Sequence, residues 1–260
     1  MAFGAATDTG KRRVVNEDAF LADAPLFLVA DGMGGYAAGA AASAAVVDVF
    51  SRHVGEATLS ITQMQAAYGD AARVVGDLPV SNGVGPGTTL TGVVVAVHDG
   101  AGYWLVVNVG DSRTYRMARG QLEQISVDHS VVQEMVDEGR LTVAEAANDR
   151  RRNLVTRAIG AGAVSEADFW LIPAAEGDRI LVCSDGLSNE LDDQAIAEIL
   201  RGESEAQVAA VRLVKEACAR GGRDNITAVV VDAVWVARDG ELHLDEDTVP
   251  RGAGQARNPG

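Results

Sequence analysis

Two long apolar runs joined by a short glycine-containing loop constrain the fold of this chain more than any other feature. The runs cover residues 88–98 and 103–109 and are rich in valine, threonine and aromatic side chains, and the loop between them reads Asp-Gly-Ala-Gly. This pattern predicts a hairpin of two antiparallel strands. Parallel neighbours would need a long crossover connection, so the hairpin argues against a doubly wound parallel sheet.

The remaining periodicities place helices in consecutive pairs. Helical spacing of apolar side chains predicts three pairs, at 37–53 with 60–75, 131–138 with 143–147, and 194–200 with 204–220. Apolar runs typical of strands occur at 26–30, 113–118, 168–173, 178–184 and 226–236. Hairpins combined with paired helices predict an α+β fold, a four-layer αββα sandwich in which two antiparallel sheets pack face to face with helix pairs outside.

The composition changes near residue 237. Residues 1–237 have the apolar patterning of one large domain, which suits a chain of 260 residues. Residues 238–260 are rich in glycine, proline and charged, mainly acidic, side chains. Apart from a short strand at 241–244, this C-terminal tail is predicted to be largely disordered.

The chain is acidic, with 22 lysine and arginine residues against 37 aspartate and glutamate residues. The net charge of −15 argues against binding to nucleic acid or to an anionic membrane, because both attract cationic surfaces. No apolar stretch is long enough for a membrane span, and no signal peptide is visible. Cys183 lies in an apolar strand and Cys218 in a helical pattern, so we expect two buried free thiols and a cytoplasmic location.

Four aspartates stand directly beside apolar strands. Asp31, Asp111 and Asp185 follow strands, and Asp224 precedes one. Two bare carboxylates about 4 Å apart repel each other by roughly 4 kcal/mol at an effective dielectric of 20. Hard divalent cations such as Mg²⁺ or Mn²⁺ remove that repulsion. Any single Asp-Gly pair could be an ordinary turn, so the hypothesis of a metal site depends on the whole group.

The chain resembles the bacterial form of the protein phosphatase type 2C family, the metal-dependent protein phosphatases. The resemblance extends from about residue 5 to residue 236, and the matching segments occur in the family's order. They are 13–18 (RVVNED), 29–35 (VADGMGG), 87–89 (GTT), 108–113 (NVGDSR), 128–130 (DHS), 184–188 (SDGLS) and 224–227 (DNIT). Each segment is weak evidence alone, but the complete ordered set is specific.

This resemblance implies a centre of two tightly bound Mn²⁺ or Mg²⁺ ions with a third, weaker ion. Asp31 would bridge the two tight ions, and the carbonyl oxygen of Gly32 would complete one coordination shell. Asp185 and Asp224 would ligate the same pair. Asp111, together with Asp185, would hold the third ion.

Other residues receive roles around that centre from the same resemblance. Glu17 and Asp18 would act through metal-bound waters, and Arg13 would bind the substrate phosphate with its guanidinium group. Thr88 and Thr89 are expected to shape a strand beside the site. Many eukaryotic relatives carry a histidine, proposed as the general acid, where this chain has Met33, so the proton donor at this position is missing.

Two loops near the motifs also have predicted roles. Residues 137–157 align with the flap of the bacterial family, and Arg150, Arg151 and Arg152 are predicted to bind substrate there. The alternative is that these arginines belong to a solvated loop. His129 is expected to shape its loop and not to act in catalysis.

The implied function is hydrolysis of phosphoserine and phosphothreonine in proteins by a metal-activated water. The implied partners are phosphorylated proteins and a bacterial Ser/Thr kinase, whose action the enzyme would oppose. The expected state is a monomer. No protein nucleophile is required by two-metal chemistry, which suits the absence of an obvious Ser, His or Cys nucleophile motif. The alternatives are a metallo-phosphoesterase acting on a small phosphometabolite and a catalytically dead binding module. Every expected ligand position is filled, which disfavours the second.

Overall fold

The structure is a computed structural model that describes residues 1–80, 85–160, 165–234 and 236. In this part of the chain the strands are β1 (Ala2–Asp8), β2 (Asp18–Asp23), β3 (Leu26–Met33), β4 (Gly87–Thr88), β5 (Leu90–His98), β6 (Ala101–Val109), β7 (Arg113–Ala118), β8 (Gln121–Gln124), β9 (Asp168–Pro173), β10 (Arg179–Cys183) and β11 (Ile226–Asp232). The helices are α1 (Tyr36–Ser51), α2 (Ile61–Gly76), α3 (Val131–Asp137), α4 (Val143–Ala146), α5 (Asp185–Ser188), α6 (Asp193–Gly202) and α7 (Ala206–Arg220).

The strands form two antiparallel sheets. The first has the order β1-β11-β10-β7-β8, and the second has the order β2-β3-β5-β6-β9 with β4 paired to the end of β3. Helices α6 and α7 cover the first sheet, while α1 and α2 cover the second. The predicted αββα sandwich is therefore confirmed, including the antiparallel hairpin of β5 and β6.

The central strands read as continuous apolar runs because both of their faces are buried. In β3, Leu28 packs against α1 and α2, whereas Val29 packs against the opposite sheet. In β10, Leu181 packs against the helices of its own sheet, whereas Val182 packs between the sheets. Successive side chains of a strand point to opposite faces, so each strand contributes to two cores.

Small residues bring α1 directly onto the end of β3. A Cβ atom on Gly32 would lie 2.3 Å from the carbonyl oxygen of Gly39, which is closer than any real contact. A Cβ atom on Gly39 would in turn lie 2.6 Å from Oε1 of Glu17. Gly39 of α1 therefore has a local role. It lets the helix approach the strand that carries Asp31.

Several short elements were not predicted, namely β1, β2, β4, β8 and α5. The predicted strand at 88–98 is divided, since residues 87–88 pair with β3 and β5 starts only at Leu90. The predicted strand at 226–236 ends at Asp232. Cys183 is buried as expected, but Cys218 is half-buried, because it lies near the C-terminal end of α7.

The predicted C-terminal tail, with its strand at 241–244, lies outside the described residues. Among the residues that are described, none of the helices has the length and apolar character needed to cross a membrane.

Candidate active site

The four strand-end aspartates meet where the two sheets face each other. Asp31 lies near the end of β3, and Asp111 follows β6. Asp185 is the first residue of α5, two residues after β10, and Asp224 lies two residues before β11. Because β3 and β6 belong to one sheet and β10 and β11 to the other, the site is built jointly by both sheets.

A cavity of about 490 Å³ contains most of the predicted site residues. Its lining comprises Arg13, Glu17, Asp31, Gly32, Met33, Gly34, Gly35, Thr89, Asp111, Asn153, Val155, Asp185 and Asp224. Among these described lining residues there is no histidine.

Asp18 and Asp31 face each other across the antiparallel pair of β2 and β3. Burial raises the pKa of Asp18 to about 7, despite the hydrogen bonds that its carboxylate accepts from Ser184 Oγ at 2.8 Å and Thr227 Oγ1 at 2.7 Å. Burial raises the pKa of Asp31 well above its ordinary value, and repulsion from Asp18 and Asp185 adds to this effect. Like charges placed opposite each other are destabilising.

Asp185 and Asp111 are also held among like charges. Burial raises the pKa of Asp185 to about 6, and repulsion from Asp224 contributes, whereas hydrogen bonds with Asp31 and Asn189 oppose the rise. Burial and the nearby Asp185 raise the pKa of Asp111 well above its ordinary value. The cavity therefore concentrates carboxylates, and Arg13 is the one cationic side chain among its described lining residues.

This donor set suits a hard divalent cation. Oε1 of Glu17 and Oδ1 of Asp18 are buried without a hydrogen-bond partner. Carboxylate and carbonyl oxygens are the ligands that Mg²⁺ and Mn²⁺ prefer. In the described residues, however, no three side chains already stand in the arrangement of a formed metal cage. The carboxylates are thus gathered in one cavity without forming a closed ligand cage among the described residues.

The raised pKa values predict how the metal-free protein responds to pH. A carboxyl whose pKa is higher in the folded than in the unfolded state binds more protons when folded, so stability falls as pH rises between the two values. Unfolded aspartate titrates near 3.9, and Asp185 and Asp18 titrate at about 6 and about 7. In excess chelator we expect a lower thermal midpoint at pH 7.5 than at pH 5. Between its two pKa values, each group lowers the free energy of unfolding by at most about 1.4 kcal/mol per pH unit.

The measurement is thermal unfolding by circular dichroism at both pH values in chelator. Adding Mn²⁺ at pH 7.5 should raise the midpoint again, because binding to the folded state stabilises it. A midpoint that stays level or increases from pH 5 to pH 7.5 in chelator would contradict this account of the carboxylates.

Arg13 supplies positive charge at the edge of the cluster. Its Nη2 donates a hydrogen bond to Oδ2 of Asp224 at 2.8 Å, and its Nη1 lies 4.0 Å from Oε2 of Glu17. The side chain is half exposed, so its guanidinium group remains accessible from the cavity. Asp224 itself accepts a further hydrogen bond at Oδ1 from the backbone of Asn225 at 2.8 Å.

Asn225 holds the loop that carries Arg13 and Glu17. Its Oδ1 accepts a hydrogen bond from the backbone of Glu17 at 2.9 Å, and its Nδ2 donates to the carbonyl oxygens of Thr9 and Val15, both at 3.0 Å. The sequence assigned this residue only to a motif and gave it no role. Its partners lie more than 200 residues away along the chain, so no local pattern could reveal them.

Thr88 and Thr89 brace Asp31 from the neighbouring strands. Thr89 Oγ1 accepts a hydrogen bond from the Asp31 backbone at 3.0 Å and shares another with Ser112 Oγ at 2.8 Å. Thr88 Oγ1 donates to the carbonyl oxygen of Asp31 at 2.9 Å. These contacts agree with the expectation that both threonines shape the strand beside the site.

An ion pair joins the start of β7 to the loop that contains Asp128 and His129. Arg113 donates to both carboxylate oxygens of Asp128, with its shortest contact at 2.6 Å, and its Nη1 donates to Tyr115 Oη at 3.1 Å. Gln124 Nε2 donates to Asp128 Oδ1 at 2.9 Å. A two-pronged guanidinium contact of this kind fixes orientation as well as charge.

His129 connects that loop to the end of the flap. Gly110 donates its backbone N–H to His129 Nδ1 at 3.2 Å, and the backbone N–H of His129 donates to the Gly110 carbonyl at 2.9 Å. His129 Nε2 lies 3.1 Å from Oδ2 of Asp168, and the His129 carbonyl accepts from Thr156 at 2.8 Å. The buried imidazole therefore shapes its loop, as the sequence predicted.

The predicted flap arginines differ in their surroundings. Arg151 is exposed and pairs with Asp149 through Nε at 2.9 Å and Nη2 at 2.7 Å, and Arg150 is also exposed. Arg152 lines a second, larger cavity of about 650 Å³, formed between the flap and the segment that follows Asp185. This cavity adjoins the first, because both are lined by Asp111, Asn153 and Asp185. The smaller cavity contains Arg13 and the aspartates Asp31, Asp111, Asp185 and Asp224, and it is therefore the candidate active site.

The comparison with known proteins gives consistent results. A family model described as Protein phosphatase 2C matches residues 9–216. The chain is 38% identical over 236 residues to the serine/threonine protein phosphatase PstP of Mycobacterium tuberculosis (strain H37Rv), a match that covers 89% of this chain and 45% of PstP. This chain therefore spans less than half the length of that relative.

A second relative is matched over nearly its whole length. The serine/threonine phosphatase stp of Listeria monocytogenes (strain EGD-e) is 32% identical over 241 residues, covering 87% of this chain and 93% of stp. Among solved structures, the catalytic domain of PstP in complex with two manganese ions superposes with a TM-score of 0.77 at 36% identity. That match covers 91% of this chain and 98% of the solved one.

Proposed function

Since the chain belongs to the protein phosphatase 2C family, we propose that it hydrolyses phosphoserine and phosphothreonine in proteins at a centre of two Mn²⁺ or Mg²⁺ ions. The observation that carries the proposal is a single cavity that contains Arg13 and the four aspartates that lie at strand ends of both sheets. Asp31, Asp185 and Asp224, with the Gly32 carbonyl, would hold the two ions, and Asp111 with Asp185 a third. The PstP structure with two manganese ions supports a centre of two cations in this fold.

The bound cations would supply Lewis acidity, neutralising the phosphate ester and lowering the pKa of an attacking water. The residues of this chain would position the cations and the water. The ends of β3 and β6 and the starts of α5 and β11 fix the carboxylates on rigid elements. Glu17 and Asp18, which keep unpaired buried oxygens, would orient water around the centre.

The partners follow from the chemistry of the site. A centre that lies open beside a second cavity can admit a phosphorylated segment of another protein. We therefore infer that the substrates are phosphoproteins, which a Ser/Thr kinase would produce. We propose in addition that the enzyme is a monomer and that it works in the cytoplasm, a location that suits its two free cysteines.

The test is hydrolysis of phosphoserine and phosphothreonine peptides compared with free phosphometabolites, each with Mn²⁺ and with excess chelator. We expect Mn²⁺-dependent turnover of the peptides and kcat/KM values well below these for the metabolites. Preference for a metabolite would assign a small-molecule phosphoesterase instead. Metal binding without turnover of either class would indicate a binding module.

Arg13 is predicted to contribute to substrate binding. Arg13→Ala should raise KM for a phosphopeptide about tenfold or more and lower kcat as well, because a charge-assisted contact with phosphate is worth about 1.5–3 kcal/mol. Mn²⁺ affinity should not fall, since the substitution removes a competing partner of Asp224 and no metal ligand. Steady-state kinetics and Mn²⁺ calorimetry check both expectations. An unchanged KM would place Arg13 outside the substrate site.

Among the flap arginines, Arg152 is predicted to matter most for peptides. It lines the larger cavity, whereas Arg151 is already paired with Asp149 on the surface. Arg152→Ala should change the relative kcat/KM of different phosphopeptides several-fold and hardly affect a small aryl phosphate. Arg150→Ala serves as the control, because that side chain lines neither cavity. Equal losses on peptide and aryl phosphate would indicate a structural role for Arg152.

A further inference from the structure

We propose that the ion pair between Glu190 and Arg223 is a positioning device that sets Asp185 and Asp224 at the mutual spacing required for the cations. The inference rests on the proposed metal centre and extends it to two residues that belong to none of the resembling motifs. Both residues line the larger cavity beside that centre.

The ion pair is extensive. Glu190 Oε1 accepts hydrogen bonds from both the backbone N of Arg223 at 3.0 Å and its Nε at 2.9 Å. Glu190 Oε2 accepts from Nη2 of Arg223 at 2.9 Å. The Glu190 side chain is 4% exposed and that of Arg223 58%, so the carboxylate is the buried anchor. Because the backbone of Arg223 is also held, the contact fixes the chain and not merely a side chain.

The pair joins the two ligand segments through short connections. Asn189 Nδ2 donates to Oδ2 of Asp185 at 3.0 Å, and the Asn189 carbonyl accepts from Nη2 of Arg223 at 3.2 Å. Glu190 is the next residue after Asn189, and Asp224 is the next residue after Arg223. The contacts thus form a closed path from one proposed ligand to the other.

The surrounding backbone is packed so tightly that a shift of one residue on this path displaces its neighbours. A Cβ atom on Gly186 would lie 2.0 Å from the carbonyl oxygen of Asn225, so α5 rests directly on the start of β11. A Cβ atom on Gly221 would lie 2.4 Å from Glu190 Oε2, so this glycine leaves room for the carboxylate. Movement of Glu190 or Arg223 would therefore displace the Asp224 segment relative to Asp185.

A direct role in metal binding is not available to Glu190. Its two carboxylate oxygens already accept three hydrogen bonds from Arg223, and it does not line the cavity that contains the aspartates. Residues that orient metal ligands typically change metal affinity about 10- to 100-fold when they are substituted. An effect near the lower end is expected here, because the pair acts through its neighbours.

The experiment measures Mn²⁺ binding by calorimetry on the full chain for Glu190→Gln, Arg223→Ala and the double variant. Glu190→Gln keeps the shape of the side chain and removes its charge. Arg223→Lys keeps the charge but loses the two-pronged contact, and it replaces Arg223→Ala if the latter folds poorly. The control is Glu203→Gln, which breaks a comparable ion pair with Arg212 at 2.6 Å outside both cavities.

We expect each single variant to raise the Mn²⁺ Kd about tenfold, the double variant to add little, and the control to change nothing. Thermal unfolding in chelator is measured for the same variants, so that a loss of stability is distinguished from a loss of Mn²⁺ affinity in the folded protein. Unchanged Mn²⁺ affinity, or an equal loss in the control, would overturn the proposal. So would a loss confined to phosphopeptide turnover, which would make the pair part of the cavity wall. If the parent protein bound no Mn²⁺, the proposed function itself would fail.

Discussion

Asp31→Asn is expected to reduce Mn²⁺-dependent hydrolysis of a phosphopeptide by at least about 10³-fold. Metal ions contribute several kcal/mol of transition-state stabilisation, and each 1.36 kcal/mol corresponds to a factor of ten in rate. Asp31 lies centrally among the carboxylates, since its pKa responds to four other aspartates. An amide cannot bridge two cations as a carboxylate does. Steady-state kinetics at saturating Mn²⁺ make the comparison, and full activity of the parent in excess chelator would contradict the two-metal account.

The same variant should fold at least as well as the parent when metal is absent. Asparagine removes a buried ionisable group that Asp18 and Asp185 repel when it is charged. We therefore expect a higher thermal midpoint for Asp31→Asn in chelator at pH 7.5 and a much smaller increase on adding Mn²⁺. The matched control is Asp48→Asn on the exposed side of α1, which should leave activity and both midpoints unchanged. A variant that loses activity because it is unfolded would show the opposite change in chelator.

Asp111→Ala is expected to reduce hydrolysis of a phosphopeptide much more than hydrolysis of an activated aryl phosphate. A serine or threonine alkoxide needs a proton as it leaves, and general acid catalysis is typically worth about 10²–10⁴-fold. Met33 cannot donate that proton, and the described lining of the cavity contains no histidine. We propose that water held beside Asp111 is the source. Aryl phosphates leave as stabilised phenolates and need the proton less.

The ratio of the two kcat losses at saturating Mn²⁺ is the measurement. A loss of about 10²-fold or more on the peptide with a small loss on the aryl phosphate supports the assignment. Calorimetry should still detect two tight Mn²⁺ sites, because Asp31, Asp185 and Asp224 remain. A ratio near one would separate Asp111 from proton donation. Disappearance of a tight site would instead place Asp111 among the ligands of the binuclear pair.

The sequence by itself was sufficient for the two central features, the antiparallel sandwich and the position of the aspartates. Both follow from short-range sequence patterns. The hairpin of β5 and β6 needs only two apolar runs and a turn between them. An aspartate at or near the end of a buried strand is held at the end of the sheet, because the apolar residues before it fix the strand in the core. Asp31, Asp111 and Asp185 were predicted on this basis.

The short edge elements were decided by tertiary structure. Strand β1 contains mostly small residues and has no clear apolar alternation, yet all seven of its residues pair with β11. Pairing with a strand more than 200 residues away supplies its hydrogen bonds, and a local pattern contains no information about that partner. The opposition of Asp18 and Asp31 likewise depends on the register of β2 and β3.

Tertiary structure alone also decided which polar residues support the site. Asn225 reaches Glu17 across 208 positions of sequence, and Arg223 reaches Glu190 across 33. A buried polar side chain must find hydrogen-bond partners, but its sequence neighbours do not specify which ones. Strand ends and their carboxylates follow from short-range patterning. The contacts that hold those carboxylates close together arise only when distant segments of the chain pack against each other.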